Sequence, residues 1–287
     1  MEIKRKYDLP EEHSRTARVV GTKGVKRLQN AHVAVFGVGG VGGHCVEALA
    51  RAGVGHLTII DGDVVSLSNI NRQTIALHST VGRPKVEVMA ERIRDINPDC
   101  EVTPIRLYYL PETQNRVELE VGLFDYVADC IDSLMGKLLL ATLCPAYDIP
   151  IISAMAAGNK IYPERFVITD VFKTNTDPIA KIMRKELRAR GIHKLKVVCS
   201  DETPLPISKD SDIENTKASP HSRPSPGSLS FVPATMGLLM AGEIIRHLSG
   251  TDEILHEIEE EKAAKELARQ EAAEEKKKQW KETFGYK

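Results

Sequence analysis

The stretch Ala31–Gln73, AHVAVFGVGGVGGHCVEALARAGVGHLTIIDGDVVSLSNINRQ, decides the fold. An apolar run, His32 to Phe36, leads into Gly37, Val38, Gly39, Gly40, Val41 and Gly42. Those glycines allow a tight turn and let bare backbone N–H groups approach an anion at the start of the next helix. That helix is predicted from about Val41 to Ala52, with Val46, Leu49 and Ala50 on its inner side and Gly53 as its C-cap. A second strand, Leu57 to Ile60, presents Asp61 about 20 residues past the glycines, where a first βαβ unit places the acid that takes a ribose hydroxyl. The chemistry expected here is nucleotide binding.

The glycines alone do not separate a dinucleotide from ATP, and such turns also occur for structural reasons. The residues downstream favour ATP. Asp61 and Asp63 are followed by Asn69, Asn71 and Arg72, and then by Lys85. A hydride carrier has no use for an added Asn, Arg and Lys near its phosphates, whereas a triphosphate about to lose pyrophosphate does. Lys85 opens a predicted helix, Val86 to Asn97, where the dipole disfavours a cation; a phosphate between it and the glycine loop would account for its place. Met89, Ile93 and Ile96 form that helix's core stripe, and Pro98 ends it.

Strands are expected at Glu101–Arg106 and Tyr126–Ile131, and Asp132 falls at the carboxyl end of the second, where an open parallel sheet binds its ligands. A carboxylate there can hold Mg²⁺ against a triphosphate. Asp129, one pleat earlier, reads as a buried structural acid and Cys130 as a small core residue. A helix from about Met135 to Tyr147 and a strand, Pro150–Ala154, continue the alternation. The fold class is therefore α/β, a doubly wound, Rossmann-like, mostly parallel sheet. Alternation at Arg165–Asp170 starts a smaller antiparallel addition that reaches Cys199.

Within that addition Asp177 caps a helix over 178–190, with Pro178 in its first turn and Gly191 as its stop. Ile179, Ile182, Met183 and Leu187 share one face; Lys181, Arg184, Lys185 and Arg188 form a stripe on the other, extended by Arg190, His193, Lys194 and Lys196. The stripe is either a solvated face or a nucleic-acid surface, since it stands out in a chain of 287 residues with net charge −1. The serine- and proline-rich region within 205–228 reads as a mobile loop. A last core helix follows, Thr235 to Leu248, whose Gly237 and Gly242 suggest close packing; from Thr251 a Glu-, Lys- and Ala-rich helix without an apolar seam runs to the end. That tail is either solvated or docks through Trp280 and Phe284. Three regions result: a helical lead-in (1–30), a nucleotide domain (31–250) and a charged tail (251–287).

At 42% hydrophobic the chain reads as globular. No segment is apolar enough to span a membrane, and the charged opening MEIKRKYDLPEEHSR does not read as a signal peptide. The five cysteines are widely spaced and include no Cys-x-x-Cys pair, which points to reduced thiols in the cytoplasm and to no zinc. Cys199 has a polar, loop-like setting and is the candidate for a reactive thiol.

GxGGxG, DxDxVxxSNxNRQ and a Lys before a helix together resemble the adenylating domain of the E1-like family, the activators of ubiquitin-like and sulfur-carrier proteins. The resemblance implies ATP with Mg²⁺ on Asp132 and a homodimer. In that dimer an N-terminal arginine reaches the partner's phosphates, here Arg15 or Arg18 in Arg-Thr-Ala-Arg-x-x-Gly. Asp-Ile-Asn-Pro-Asp-Cys-Glu-Val, Thr-Asp-Pro-Ile-Ala-Lys, Val-Val-Cys-Ser-Asp-Glu-Thr-Pro and Ser-Phe-Val-Pro-Ala-Thr-Met-Gly-Leu are similar to the branch that dehydrates threonylcarbamoyladenosine in tRNA, in its Gram-positive form. This implies a carboxyl-adenylate on modified tRNA, closed intramolecularly with loss of AMP, and a possible sulfur-relay partner. Two alternatives stay open: activation of a carrier protein's C-terminal glycine, which would depend on Cys199, and a non-enzymatic nucleotide- or dinucleotide-binding protein.

Overall fold

The computed structural model describes residues 9–206 and 226–285, except 118, 120 and 121. Most of the loop expected at 205–228 lies outside them. Seven strands form one sheet: β1 (His32–Phe36), β2 (His56–Ile60), β3 (Glu101–Ile105), β4 (Tyr126–Asp129), β5 (Ile151–Ala154), β6 (Phe166–Asp170) and β7 (Lys196–Ser200). Their order is β3-β2-β1-β4-β5-β7-β6. Every pairing is parallel except β6 with β7. The antiparallel addition is thus an extension of the main sheet: β7 lies parallel to β5, and β6 turns back along the edge.

The helices are α1 (Ser14–Asn30), α2 (Gly42–Ala52), α3 (Lys85–Ile96), α4 (Leu134–Ala146), α5 (Pro178–Ala189), α6 (Phe231–Ser249) and α7 (Thr251–Phe284). One face of the sheet packs against α2, α3 and α6 through Val46, Leu49, Met89, Ile93, Met236, Met240 and Ile244. Removing each such side chain from water contributes about 1.5–3 kcal/mol. The other face carries Ala34, Phe36 and Val127 against Leu140 and Cys144 of α4. Both faces are covered, which is why β1 and β4 are buried along nearly their whole length.

The lead-in helix α1 is broken at Gly21, where φ is 73° and ψ 163°. The two glycines of α6 behave differently. A Cβ on Gly237 would lie 2.2 Å from the Val41 carbonyl oxygen, so this is the close approach of α6 to α2. A Cβ on Gly242 would meet only the Arg246 Nη1 at 3.4 Å, so it makes no such approach. The charged tail is one long helix, and Trp280 on it is 56% exposed. Among the described residues no helix is long and apolar enough to cross a membrane.

Candidate active site

The parallel strands β1, β2 and β4 end side by side, and the residues singled out from the motifs meet beyond those ends. Gly37 is left-handed, with φ 88°, and a Cβ there would lie 2.7 Å from the Cys130 carbonyl oxygen. On Gly42 a Cβ would sit 1.7 Å from the Gly37 carbonyl oxygen. The loop therefore folds back on its own backbone, and only glycine permits it. A Cβ on Gly39 would meet only Gln73, at 3.6 Å, and one on Gly40 only Arg72 and Pro233, each at 3.4 Å. Helix geometry leaves the first amides of α2 without acceptors within the helix, and of these the Gly43 N–H donates to the Gly39 carbonyl at 2.9 Å.

Asp61 closes the loop. One carboxylate oxygen accepts from the Val38 N–H at 2.7 Å and the other from the Asp63 N–H at 2.8 Å. Each oxygen keeps a second lone pair, so a ribose hydroxyl can still be bound. Asp63 is half-buried and receives the Lys85 ammonium at 2.8 Å and the Tyr108 hydroxyl at 2.6 Å. Burial works against the Asp63 charge, but the hydrogen bonds from Lys85 and Tyr108 outweigh it and hold its pKa below the usual aspartate range. Lys85 is itself only 5% exposed. A carboxylate thus accounts for the cation at the head of α3, and two of its three N–H donors remain for phosphate oxygens.

Arg72 lies against Gly40 and donates to the Ser68 carbonyl and to Asn71 Oδ1, both at 3.0 Å. Burial lowers its pKa, so an anion beside it would relieve a desolvation cost. Asn71 in turn donates to the Ser228 carbonyl at 3.0 Å. Asn69 accepts from the Ser66 N–H at 3.1 Å and so is occupied in shaping its own turn, though its amide N–H groups remain available. Asp132 is exposed just past β4, and its carboxylate has no partner among the described residues. Among those residues no group of three or more His, Cys, Asp or Glu could hold a metal ion.

Asp129 is a structural acid, as expected: fully buried, it receives Lys137 Nζ at 3.2 Å and the Ser153 hydroxyl. Arg15 and Arg18 are exposed on α1 and unpaired among the described residues. Sequence reasoning missed Tyr108, an isolated tyrosine with no motif around it. It passed over Gln73, whose buried Oε1 lacks a partner among the described residues. It missed Glu47 as well. Burial opposes the Glu47 charge, yet hydrogen bonds from Arg92 and Arg51 bring its pKa down to about 2 and tie α2 to α3.

On α5 the buried residues are Ala180, Met183 and Leu187, while Ile182, expected on that face, is 37% exposed because it sits at the stripe's edge. Asp177 caps the helix through the Ile179 and Ala180 N–H groups and also pairs, fully buried, with Lys160 at 3.2 Å. The basic face is uneven. Arg184 donates to Thr174, and Arg188 lies 5.2 Å over the Phe172 ring. Lys181 and Lys185 are exposed. Cys199 is not in a loop: it is 5% exposed in β7, and burial pushes its thiol up to about 11.

A sequence model of the ThiF family matches residues 13–282. The chain belongs to that family, which bears out the E1-like resemblance of its motifs. It is 46% identical over 239 residues to the tRNA threonylcarbamoyladenosine dehydratase of Bacillus subtilis, a match covering 82% of this chain and 93% of that protein. The crystal structure of the Escherichia coli tRNA N6-threonylcarbamoyladenosine dehydratase in complex with ATP is similar at a TM-score of 0.73 and 33% identity, over 84% of this chain and 95% of that one. The E. coli molybdopterin-synthase adenylyltransferase is 38% identical over 133 residues, 46% of this chain and 52% of that protein.

Proposed function

We propose that this chain uses ATP to dehydrate N6-threonylcarbamoyladenosine in tRNA. The observation that carries the reading is the site itself: glycine loop, Asp61, Asp63, Arg72, Lys85 and Asp132 beyond the carboxyl ends of the parallel strands, in a chain matched over most of its length by the B. subtilis and E. coli dehydratases.

The substrate carboxylate attacks the α-phosphate of ATP and pyrophosphate leaves. A carboxylate is a poor acyl donor until its oxygen becomes such a leaving group. A nucleophile already on the same threonylcarbamoyl unit then closes the ring with loss of AMP, so the modified base loses one water overall and needs no enzyme nucleophile. The helix amides and Gly37, Gly39, Gly40 and Gly42 line the phosphate path. Arg72 and Lys85 neutralise charge on departing pyrophosphate, with Asn69 and Asn71 orienting the β and γ phosphates. Asp132, exposed just past β4, is the carboxylate that would hold a Mg²⁺ beside the triphosphate. Such an ion would offset negative charge on the triphosphate.

Arg15 or Arg18, exposed and unpaired among the described residues, completes the site of a second copy in a homodimer. Lys181, Lys185 and Arg188, all exposed, with the half-buried Arg184, form a tRNA phosphate contact on α5. The cytoplasm, where such tRNA resides, is the expected location, and a sulfur-relay protein is a possible partner. Activation of a carrier protein through a thiol is disfavoured by Cys199, buried and raised in pKa.

The experiment is mass spectrometry of nucleosides from threonylcarbamoylated tRNA incubated with the protein, ATP and Mg²⁺. The expected result is ATP-dependent loss of one water from the modified adenosine. Pyrophosphate exchange seen only on adding a carrier protein would overturn the reading.

A further inference from the structure

Past the end of β3 the backbone keeps pairing with the loop after β2: the Asp61 N–H donates to the Ile105 carbonyl at 3.2 Å and the Leu107 N–H to the Asp61 carbonyl at 3.3 Å. Leu107 and Tyr109 are buried in the core beneath, so alternation sends Tyr108 to the opposite face, toward the nucleotide site. Its ring lies flat against Gly62, where a Cβ would be 2.6 Å away, and its carbonyl accepts the Thr113 hydroxyl at 2.6 Å. The ring is thus fixed at its base, although the residue is 59% exposed. An exposed tyrosine has water for its hydroxyl at no cost; this one turns the hydroxyl inward, 2.6 Å from Asp63 Oδ1.

We propose that Tyr108 is a positioning residue for ATP chemistry, acting on Lys85 through the Asp63 carboxylate. The inference rests on the ATP reading above. Asp63 is an anion beside the path of a polyanion, and it serves catalysis only if its charge is spent on its neighbours. Lys85 takes Oδ2 and Tyr108 takes Oδ1, so both oxygens are occupied and the carboxylate cannot rotate away from the ammonium. Without the hydroxyl, Asp63 can swing, carrying Lys85 off the line of the departing pyrophosphate. The hydrogen bond to Asp63 raises the tyrosine to about 12, so the hydroxyl stays a donor across the working pH range.

Lys85 contributes most when charge builds on the leaving group, so its loss of position is felt in kcat more than in ATP binding. Tyr108→Phe keeps the ring on Gly62 and removes only the hydroxyl. Steady-state dehydration of modified tRNA, followed against ATP concentration, should show kcat lowered roughly 10-fold, about the effect of one hydrogen bond to a charged group, with KM for ATP changed less than about twofold. Tyr108→Leu, which also uncovers Gly62, should lose at least as much kcat. Wild-type kinetics in Tyr108→Phe would overturn the proposal, and so would a change confined to KM. Failure of the wild-type protein itself to act on ATP and modified tRNA would instead overturn the functional reading.

Discussion

Replacing Gly237 and Gly242 by alanine should have opposite effects, although both lie in the same helix. At Gly237 an added Cβ would be 2.2 Å from the Val41 carbonyl oxygen, 3.1 Å from the Cys45 nitrogen and 3.2 Å from the His44 Cβ. Carbon and carbonyl oxygen approach no closer than about 3.3 Å, so α6 and α2 must part by about 1 Å. Neither can give easily. The Val41 carbonyl accepts from the Cys45 N–H at 3.1 Å, and α2 is held to α3 through Glu47 and Arg92.

Overpacking of this kind costs about 1–3 kcal/mol, and a clash against backbone falls in the upper part of that range. Alanine recovers about 1 kcal/mol of helix propensity. The net loss is about 1–2 kcal/mol, which for a chain of this size lowers Tm by roughly 2–8 °C. At Gly242 only the flexible end of Arg246 is near, at 3.4 Å, so the propensity gain stands alone and Tm should rise by roughly 2–4 °C. The shift at 237 falls on the first turn of α2, so Gly237→Ala should also weaken ATP binding, read by calorimetric titration. Scanning calorimetry decides the stability part: a Tm raised or unchanged by Gly237→Ala would refute the packing argument.

Lys137→Met leaves Asp129 buried and without its cation, a loss of about 3–5 kcal/mol; an unfolding midpoint in urea within error of wild type would contradict it. Glu47 has its pKa depressed from 4.5 to about 2 in the fold, so the stability it contributes is full above 4.5 and is lost as pH falls through about 2. Glu47→Gln should therefore lose part of its stability at neutral pH and show a flatter decline than wild type between pH 4.5 and 2, measured as Tm against pH. Cys199→Ala should retain full dehydration of tRNA, because a buried thiol with its pKa at about 11 serves packing; loss of turnover with the fold intact would restore a thiol mechanism. Lys181→Glu with Lys185→Glu should weaken tRNA binding and reduce its salt dependence while leaving ATP affinity unchanged, with filter binding across salt concentrations as the check.

Local order was legible wherever a pattern has one physical solution. Glycines at fixed intervals between an apolar strand and a helix, an acid at the end of the next strand, and the proline after Asp177 all act over a few residues. The elements found at β1, α2, β2, α3 and α5 follow the expected ones within a residue or two. Pairing across long separations was not legible. Nothing near Cys199 announces that β7 lies parallel to β5 and buries it; the polar residues following it suggested a loop. The two glycines of α6 look alike in sequence, and only the crossing with α2 separates them. Tyr108 is 45 residues from Asp63 and carries no motif, so its part in the site was invisible until the sheet set β3 beside β2.

What the sequence by itself determined was the α/β class, the nucleotide loop and the chemical character of its surroundings, because backbone freedom, helix capping and charge are properties of short stretches. What the tertiary structure alone decided was which of those groups are spent on one another. Lys85 is bound to Asp63, Asn71 to Ser228, Arg184 to Thr174 and Lys160 to Asp177. A charge or amide shows its type in the sequence, but whether it is free for a ligand depends on desolvation and distance, and both arise only when remote segments close on each other.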